Sequence, residues 1–224
     1  MSETSPKSGY LRQAWLVILL ALFYGAALAG VQVTLGPRIA KNKLNETYEQ
    51  VPKIVPGADQ TKTVPRTVKG EVDGKEYSVY QAFSMGGDHV GWVVPASGQG
   101  FADRIDVLVG IDAPLETITG LYVLDQKETP GLGNLIVKNE EPDDFCNRFK
   151  QLQAEPTLEV FKDEPPPGSN GIRALSGATI SSKGVANAVN SALDNLKGPM
   201  GALPDRPPSE PAAPTSETDK REDD

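Results

Sequence analysis

The chain carries, at residues 176–182, the segment Ser176-Gly177-Ala178-Thr179-Ile180-Ser181-Ser182, which predicts where its last helix begins. The apolar residues that follow it at helical spacing are Val185, Ala188, Val189, Ala192, Leu193 and Leu196. This spacing predicts an amphipathic helix that begins near Ser181 or Ser182, and either serine can cap it. The first N–H groups of such a helix have no acceptor within it, and the positive end of the helix dipole lies there. The segment therefore predicts a helix start that attracts anions.

The residues around Thr179 suit a phosphate group in particular. Gly177 and Ala178 are small, so a bulky ligand can reach the backbone beside the Thr179 hydroxyl. Lys183, in the first turn, adds a full positive charge. Serine, threonine and glycine are equally the ordinary composition of a helix cap, so this segment alone leaves both interpretations open.

Composition limits the chemistry that the 224-residue chain can perform. Its net charge of −8 at pH 7 argues against nucleic acid as a partner, because nucleic-acid interfaces are basic. The single cysteine, Cys146, excludes an intramolecular disulfide and a cysteine-ligated iron–sulfur cluster, and is predicted to be a small packed side chain. The single histidine, His89, cannot build a histidine-rich metal site. Any redox chemistry must therefore come from an organic cofactor.

A long uncharged apolar run at residues 14–35 predicts a transmembrane helix. Trp15 lies near one end of it, where interfacial aromatic residues are found. Ala27-Leu28-Ala29 followed by Gly30 also fits the cleavage pattern of a signal peptide. The run continues past that point through Val33, which favours a retained anchor. Lysine and arginine flank the run on both sides, so the positive-inside rule gives no orientation.

Five parts are expected along the chain. They are a cytoplasmic N-terminus at 1–13, the transmembrane helix at 14–35, a polar connecting segment at 36–64, a folded domain at 65–197, and a disordered Pro/acid-rich tail at 198–224. Within the connecting segment, Leu44–Val51 is expected to form a short helix.

The middle of the chain predicts a largely antiparallel sheet. The expected strands are Thr67–Val72, Lys75–Ala82, His89–Val94, a fourth in which Ile105, Val107, Val109 and Ile111 alternate, and Leu115–Leu124. Asp73-Gly74, between the first two, is a strong hairpin signal. The later expected elements are a helix that starts at Pro142 and carries Phe145, Phe149 and Leu152 on one face, a strand at Thr157–Phe161, and a loop at Pro165–Gly168. Strands in the middle and helices late indicate an α+β domain.

Two more loops of small residues follow predicted strands. They are Ser97-Gly98-Gln99-Gly100-Phe101 and Glu128-Thr129-Pro130-Gly131-Leu132-Gly133. Glycines at such places permit positive φ and let a flat ligand approach the backbone closely. On composition alone, a pair of ordinary glycine turns is the better interpretation.

Taken together, the 128–133 loop and the 176–182 segment resemble a specific family. The motifs E-T-P-G-L-G and S-G-A-T-x-S, in this order and after one membrane helix, are similar to those of RnfG, the FMN-binding component of the Rnf electron-transport complex. They are also similar to those of its relative NqrC, from the sodium-pumping NADH:quinone reductase. The resemblance spans residues 14–196 and implies an FMN-binding domain, its largely antiparallel sheet flanked by helices, tethered by one N-terminal transmembrane helix.

The resemblance implies that FMN is covalently attached. In the family, a separate flavin transferase esterifies the last threonine of the second motif with the FMN phosphate, and Thr179 matches that threonine. The other residues expected to bind the cofactor are Ser176, Gly177, Ala178, Ser181, Ser182, Lys183, Glu128, Thr129, Gly131 and Leu132. The chain departs from the family at Gln126, where a histidine is frequent, and at Gly98–Ala102, where the family usually reads Gly-aromatic-Gly-Gly.

The function implied by the resemblance is that of an electron-carrier subunit. The chain would work with other membrane subunits of an Rnf-type ferredoxin:NAD oxidoreductase that moves ions across the inner membrane, with its FMN domain on the periplasmic side. One alternative is a flavin-free scaffold of the same complex. Another is a stand-alone FMN-linked reductase, which is less well supported because the sequence has no glycine fingerprint for a nucleotide.

Overall fold

The computed structural model describes residues 9–205, which fall into two compact units, one up to Glu46 and one from Thr47 onward. The first helix, α1, is continuous from Gly9 to Ile54. The sequence predicts a helix end at residue 35, but α1 runs on through Pro37, so the expected connecting segment is helical as far as Ile54. A proline inside a helix removes one hydrogen bond at a cost of about 3 kcal/mol. The alanine, lysine, leucine and glutamate residues after it favour helix strongly enough to continue it.

The part of α1 at residues 14–35 has no charged side chain and is mostly apolar. Its most apolar 18-residue window has a mean hydropathy of 2.3, and none of that window is buried. Thr34 Oγ1 donates to the Gly30 carbonyl at 2.8 Å, so this hydroxyl is satisfied within the helix. By length and composition the helix can cross a membrane, as an anchor or as a signal sequence.

The second unit is built on a five-stranded antiparallel sheet with strand order β1-β2-β3-β4-β5. Its strands are β1 Val64–Lys69, β2 Glu76–Phe83, β3 His89–Gln99, β4 Arg104–Asp112 and β5 Ile118–Asp125. Two short parallel strands follow, β6 Glu159–Phe161 and β7 Gly171–Arg173, and then the second helix, α2, at Thr179–Gly201. The predicted α+β class and antiparallel sheet are confirmed, while β7 was not predicted.

Both faces of the sheet are covered, because side chains alternate between faces along a strand. One face packs against α2, and the buried residues there include Trp92, Val94, Val107, Val109, Val185, Val189 and Leu193. The other face packs against the end of α1, and the buried residues there include Val51, Ile54, Val55, Val93 and Leu108. The last turns of α1 are therefore part of the folded domain.

One predicted element differs because its backbone finds partners that are distant in sequence. The helix expected after Pro142 is a single 3₁₀ turn at Phe145–Phe149, since the following residues pair with the start of β5. The Gln151 N–H donates to the Ile118 carbonyl at 2.9 Å, and the Ile118 N–H donates to the Leu152 carbonyl at 2.8 Å.

Strand β3 is longer than predicted, so Ser97–Gln99 is strand and not loop. The pairing with β4 continues to Gln99 opposite Arg104. Gly98 lies where a Cβ atom would be 2.0 Å from the Gly184 carbonyl oxygen of α2. Glycine at this position lets the helix approach the sheet closely.

The ends of α2 also differ from the prediction. The helix begins at Thr179, before both serines proposed as caps, and ends at Gly201, beyond the predicted end of the domain. Met200 is fully buried, which explains why residues 198–201 belong to the helix and not to the expected tail. The rest of that tail, from residue 206, lies outside the described residues.

Candidate functional site

Three segments surround a cavity of about 360 Å³. They are the turn between β3 and β4, the 128–133 loop, and the first turn of α2. The lining residues are Phe101, Thr129, Leu132, Gly133, Gly177, Ala178, Thr179, Ile180 and Ser181. The two motifs that the sequence singled out, 53 residues apart at Glu128 and Ser181, thus meet in one place.

The start of α2 leaves donors free for an anion. Ala178 is the N-cap residue, and no side chain in the described part of the chain caps this helix. The first helical hydrogen bond runs from the Ser182 N–H to the Ala178 carbonyl at 3.0 Å, so the N–H groups of Thr179, Ile180 and Ser181 have no acceptor within the helix. The Thr179 side chain is exposed beside them.

Gly177 shapes the entrance to this helix. Its φ of 75° lies in the left-handed region, which other residues adopt only with strain. A Cβ atom here would be 3.1 Å from Leu132 Cδ2 across the cavity. Glycine therefore provides both the turn and the space between the two motif loops.

Both serines of the motif are buried and have structural partners. Ser182 Oγ donates to the Ala178 carbonyl at 2.9 Å and accepts the Leu175 N–H at 3.0 Å. Ser181 Oγ donates to Glu128 Oε2 at 2.5 Å. A hydroxyl has one proton to donate, and in each serine that proton is used within the protein. The prediction that one of them caps the helix is wrong.

Apolar side chains form the rest of the cavity wall. Phe101, Leu132 and Ile180 line the cavity while remaining 68%, 46% and 54% exposed. Neither Phe101 nor Ile180 was among the predicted site residues. Two sequence signals could have identified these residues. Phe101 is a large apolar residue beside the glycine turn, and Ile180 is one directly after the motif threonine. The wall suits a flat, apolar ring system.

The remaining predicted residues lie around the cavity without lining it. Gly131 has a φ of 77°, and its N–H donates to Asn134 Oδ1 at 2.7 Å, which shapes the loop. Ser176 and Lys183 have exposed side chains outside the lining. Glu128 is buried beside it, only 6% exposed. Their roles toward a ligand stay predictions.

Comparison with known proteins identifies the family. Residues 100–194 match the model of the FMN-binding domain. The G subunit of the ion-translocating oxidoreductase complex of Methanosarcina acetivorans is 30% identical over 83% of this chain and 95% of its own length. This chain belongs to the RnfG/NqrC-type family. The G subunit of the proton-translocating ferredoxin:NAD(+) oxidoreductase complex of Clostridium ljungdahlii is 28% identical over 77% of this chain and 83% of its own.

The fold of this RnfG/NqrC-type chain also matches a solved structure. The crystal structure of NqrC, the C subunit of the Na(+)-translocating NADH-quinone reductase, from Parabacteroides distasonis superposes with a TM-score of 0.53. The alignment covers 71% of this chain and 85% of that one, at 23% identity. Membership of a family of membrane-complex subunits, together with the apolar α1, indicates a membrane-anchored subunit.

The residues present fit FMN. The start of α2 supplies N–H groups that have no acceptor within the helix and can bind a phosphate. Phe101, Leu132 and Ile180 supply apolar surface for a tricyclic ring. Gly177 keeps open the passage between those two regions. The match to the FMN-binding domain model includes all three segments.

Proposed function

We propose that this chain is a membrane-anchored electron-carrier subunit of an Rnf-type ferredoxin:NAD oxidoreductase complex that translocates ions, with FMN esterified to Thr179. The observation that carries the proposal is the exposed Thr179 hydroxyl at an uncapped helix start, which opens into an apolar-walled cavity. FMN, when bound, supplies the ability to accept and pass on electrons. The protein tethers the cofactor, orients it and excludes competing reactions.

Thr179 is the attachment point in this proposal. Its Oγ forms a bond to phosphorus, its proton is lost to solvent or to the transferase, and a leaving group departs from phosphorus with its electron pair. The donor is accordingly a phosphoanhydride of FMN, used by a flavin transferase, and the chain gains one FMN less one water. No general base is needed on this chain, since the transferase performs the reaction.

The start of α2 stabilises the resulting phosphodiester. A phosphodiester keeps one negative charge, and the N–H groups of Thr179, Ile180 and Ser181 are oriented toward the helix start where that charge lies. Lys183, exposed about one turn further along the same helix, adds a positive charge near that end. The side chains of Phe101 and Leu132 would cover the ring and limit its contact with water.

The apolar helix α1 and the family support a location of this chain in the membrane. The relatives are named as parts of a complex, and we infer that this chain assembles with other membrane subunits of such a complex in the inner membrane. We place its FMN domain on the periplasmic side because the two motifs resemble those of RnfG.

The substitution Thr179→Ala tests the attachment. It removes the hydroxyl oxygen to which the proposal attaches FMN, so in-gel flavin fluorescence after denaturation is expected to disappear. The peptide that contains residue 179 is expected to lose the added mass of one FMN less water. The complex should still assemble but should transfer no electrons.

Ser191→Ala is the matched control. This hydroxyl is exposed on the same helix and lies outside the cavity lining, so flavin content is expected to be unchanged. Covalent flavin that persists in Thr179→Ala would overturn the assignment. A Thr179→Ala complex that is flavin-free but fully active would favour the scaffold function instead.

A further inference from the structure

Glu128 joins the three segments that surround the cavity. Its Oε2 atom accepts the Ser181 hydroxyl at 2.5 Å, in the first turn of α2. Its Oε1 atom accepts the Ala102 N–H at 3.0 Å, in the turn between β3 and β4. The carboxylate itself belongs to the 128–133 loop. One side chain therefore ties all three walls together.

The surroundings of this carboxylate are shaped to enclose it. A Cβ atom on Gly100 would be 2.4 Å from Glu128 Oε1, and one on Gly133 would be 2.6 Å from Oε2. A Cβ atom at either position would displace the carboxylate from these hydrogen bonds. Glu128 is only 6% exposed, and each of its carboxylate oxygens accepts one hydrogen bond.

Each hydrogen bond of the Glu128 carboxylate ends next to a residue that the proposed site uses. Ala102 directly follows Phe101, which forms one wall. Ser181 lies two residues after Thr179, the attachment point, in the same helical turn. A shift of the carboxylate therefore moves Phe101, which covers the ring, through the one peptide unit that joins it to Ala102. The same shift moves the Thr179 hydroxyl through the half-turn of helix between Thr179 and Ser181.

We propose that Glu128 is a positioning residue for flavin attachment. Glu128 acts on the site through Ser181 and Ala102 and not through contact with FMN. This role rests on the proposed function. Glu128 holds the Thr179 hydroxyl and the Phe101 wall at a fixed separation, so that the bound phosphoryl donor meets the hydroxyl. The carboxylate is required because it accepts from two donors at once, whereas the amide of Gln offers one acceptor oxygen.

The experiment compares the full-length chain with three variants, each incubated with a flavin transferase and a flavin dinucleotide as the FMN donor. The variants are Glu128→Gln, Ser181→Ala and the double variant. Covalent flavin is measured against time by in-gel fluorescence, and the thermal midpoint of each chain is recorded. Varying the chain concentration separates kcat from KM.

The positioning role predicts a fall in kcat. In Glu128→Gln, kcat is expected to fall about tenfold, the effect of losing one hydrogen bond from the reacting geometry, while KM for the chain stays the same. Ser181→Ala should also lower kcat, and the double variant should be no slower than Glu128→Gln alone, because both changes break one linkage.

Asn190→Ala is the matched control for stability. Asn190 ties α2 to the segment before β6 through the Leu158 N–H at 2.8 Å and the Leu158 carbonyl at 3.0 Å, and it lies outside the cavity lining. It should lower the thermal midpoint without lowering kcat. The inference is overturned if Glu128→Gln reacts at the wild-type rate, or if kcat follows the thermal midpoint in all variants. A wild-type chain that acquires no flavin would instead contradict the proposed function.

Discussion

Cys146, the single thiol of the chain, is protected by its position. Its side chain is fully buried, and Sγ donates to the Ile136 carbonyl at 3.1 Å. Burial raises the pKa of this thiol to about 12, because the thiolate would lose its hydration. Thiol reagents such as maleimides are attacked by the thiolate, so Cys146 should be inert in the folded protein at neutral pH. The packed role predicted for it from the sequence agrees with this environment.

An introduced cysteine can therefore report on which side of the membrane the domain lies. Val72 is 77% exposed, so Val72→Cys adds one reactive thiol to a chain whose own cysteine does not react. If the domain is periplasmic, a membrane-impermeant maleimide should label this variant in cells with an intact inner membrane. The unsubstituted chain should be labelled only after unfolding in urea, which exposes Cys146. Labelling of Val72→Cys only after the inner membrane is opened would place the domain in the cytoplasm.

At the residue scale, the sequence reveals what depends on neighbours in the chain. Gly177 and Thr179 could be singled out because a small-residue turn before an amphipathic helix is a local pattern. The structural role of Ser181 could not be predicted, because its partner Glu128 lies 53 residues away. The position of Phe101 beside the motif threonine could not be predicted for a similar reason, since only the fold brings the two residues together.

At the element scale, Pro199 in α2 links the helix to the first hairpin. Proline has no N–H, so the carbonyl of Asn195 four residues earlier has no helical donor, and it accepts the Glu71 N–H at 2.9 Å. The Asn195 side chain accepts the Val72 N–H at 2.8 Å and donates to Asp73 Oδ1 at 3.2 Å. This asparagine holds the turn between β1 and β2 against α2.

Asn195→Ala is therefore expected to destabilise the domain by about 1–3 kcal/mol, because the Val72 N–H loses its acceptor in a partly buried place. Asn187→Ala, at an exposed position on the same helix, should change the free energy of unfolding by less than about 0.5 kcal/mol. Urea unfolding of the full chain in detergent, followed by tryptophan fluorescence, measures both. Equal decreases in the free energy of unfolding of the two variants would show that the turn does not depend on the Asn195 side chain.

The strands were more predictable than the later elements, for a physical reason. Alternation of apolar residues is visible in a short window, and in β4 it marks Ile105, Val107, Val109 and Ile111, all of which are buried. The segment Phe145–Phe149 has the spacing of a helix face, but its continuation pairs with β5. A local sequence pattern does not indicate whether such a segment forms a helix or pairs with a distant strand.

At the scale of the whole molecule, the domain depends on the end of α1. Gly110 and Gly120 let the backbone of Ile54 approach the sheet, since a Cβ atom on Gly110 would be 2.4 Å from the Ile54 carbonyl oxygen. Thr119 Oγ1 donates to that same oxygen at 2.6 Å and so satisfies a carbonyl at the end of the helix. Sequence reasoning placed the start of the domain at residue 65, whereas these contacts argue for a start near Thr47.

Two truncations decide between those boundaries. A chain that starts at Thr47 keeps the buried residues Val51, Ile54 and Val55, and it is expected to be soluble and to unfold in one cooperative transition. A chain that starts at Pro65 loses all three. Burial of each such side chain contributes about 1.5–3 kcal/mol, so the summed loss rivals the total stability of a typical domain, about 5–15 kcal/mol.

The Pro65 chain should therefore aggregate or lose its cooperative transition, as judged by size-exclusion chromatography and thermal circular dichroism. Within the Thr47 chain, Ile54→Ala should cost about 2–5 kcal/mol, and Lys53→Ala, which is exposed, should cost almost nothing. If the Pro65 chain melts within a few degrees of the Thr47 chain, the end of α1 is dispensable to the fold. The expected difference would instead mean that the helix leading from the membrane is itself built into the core of the domain that it tethers.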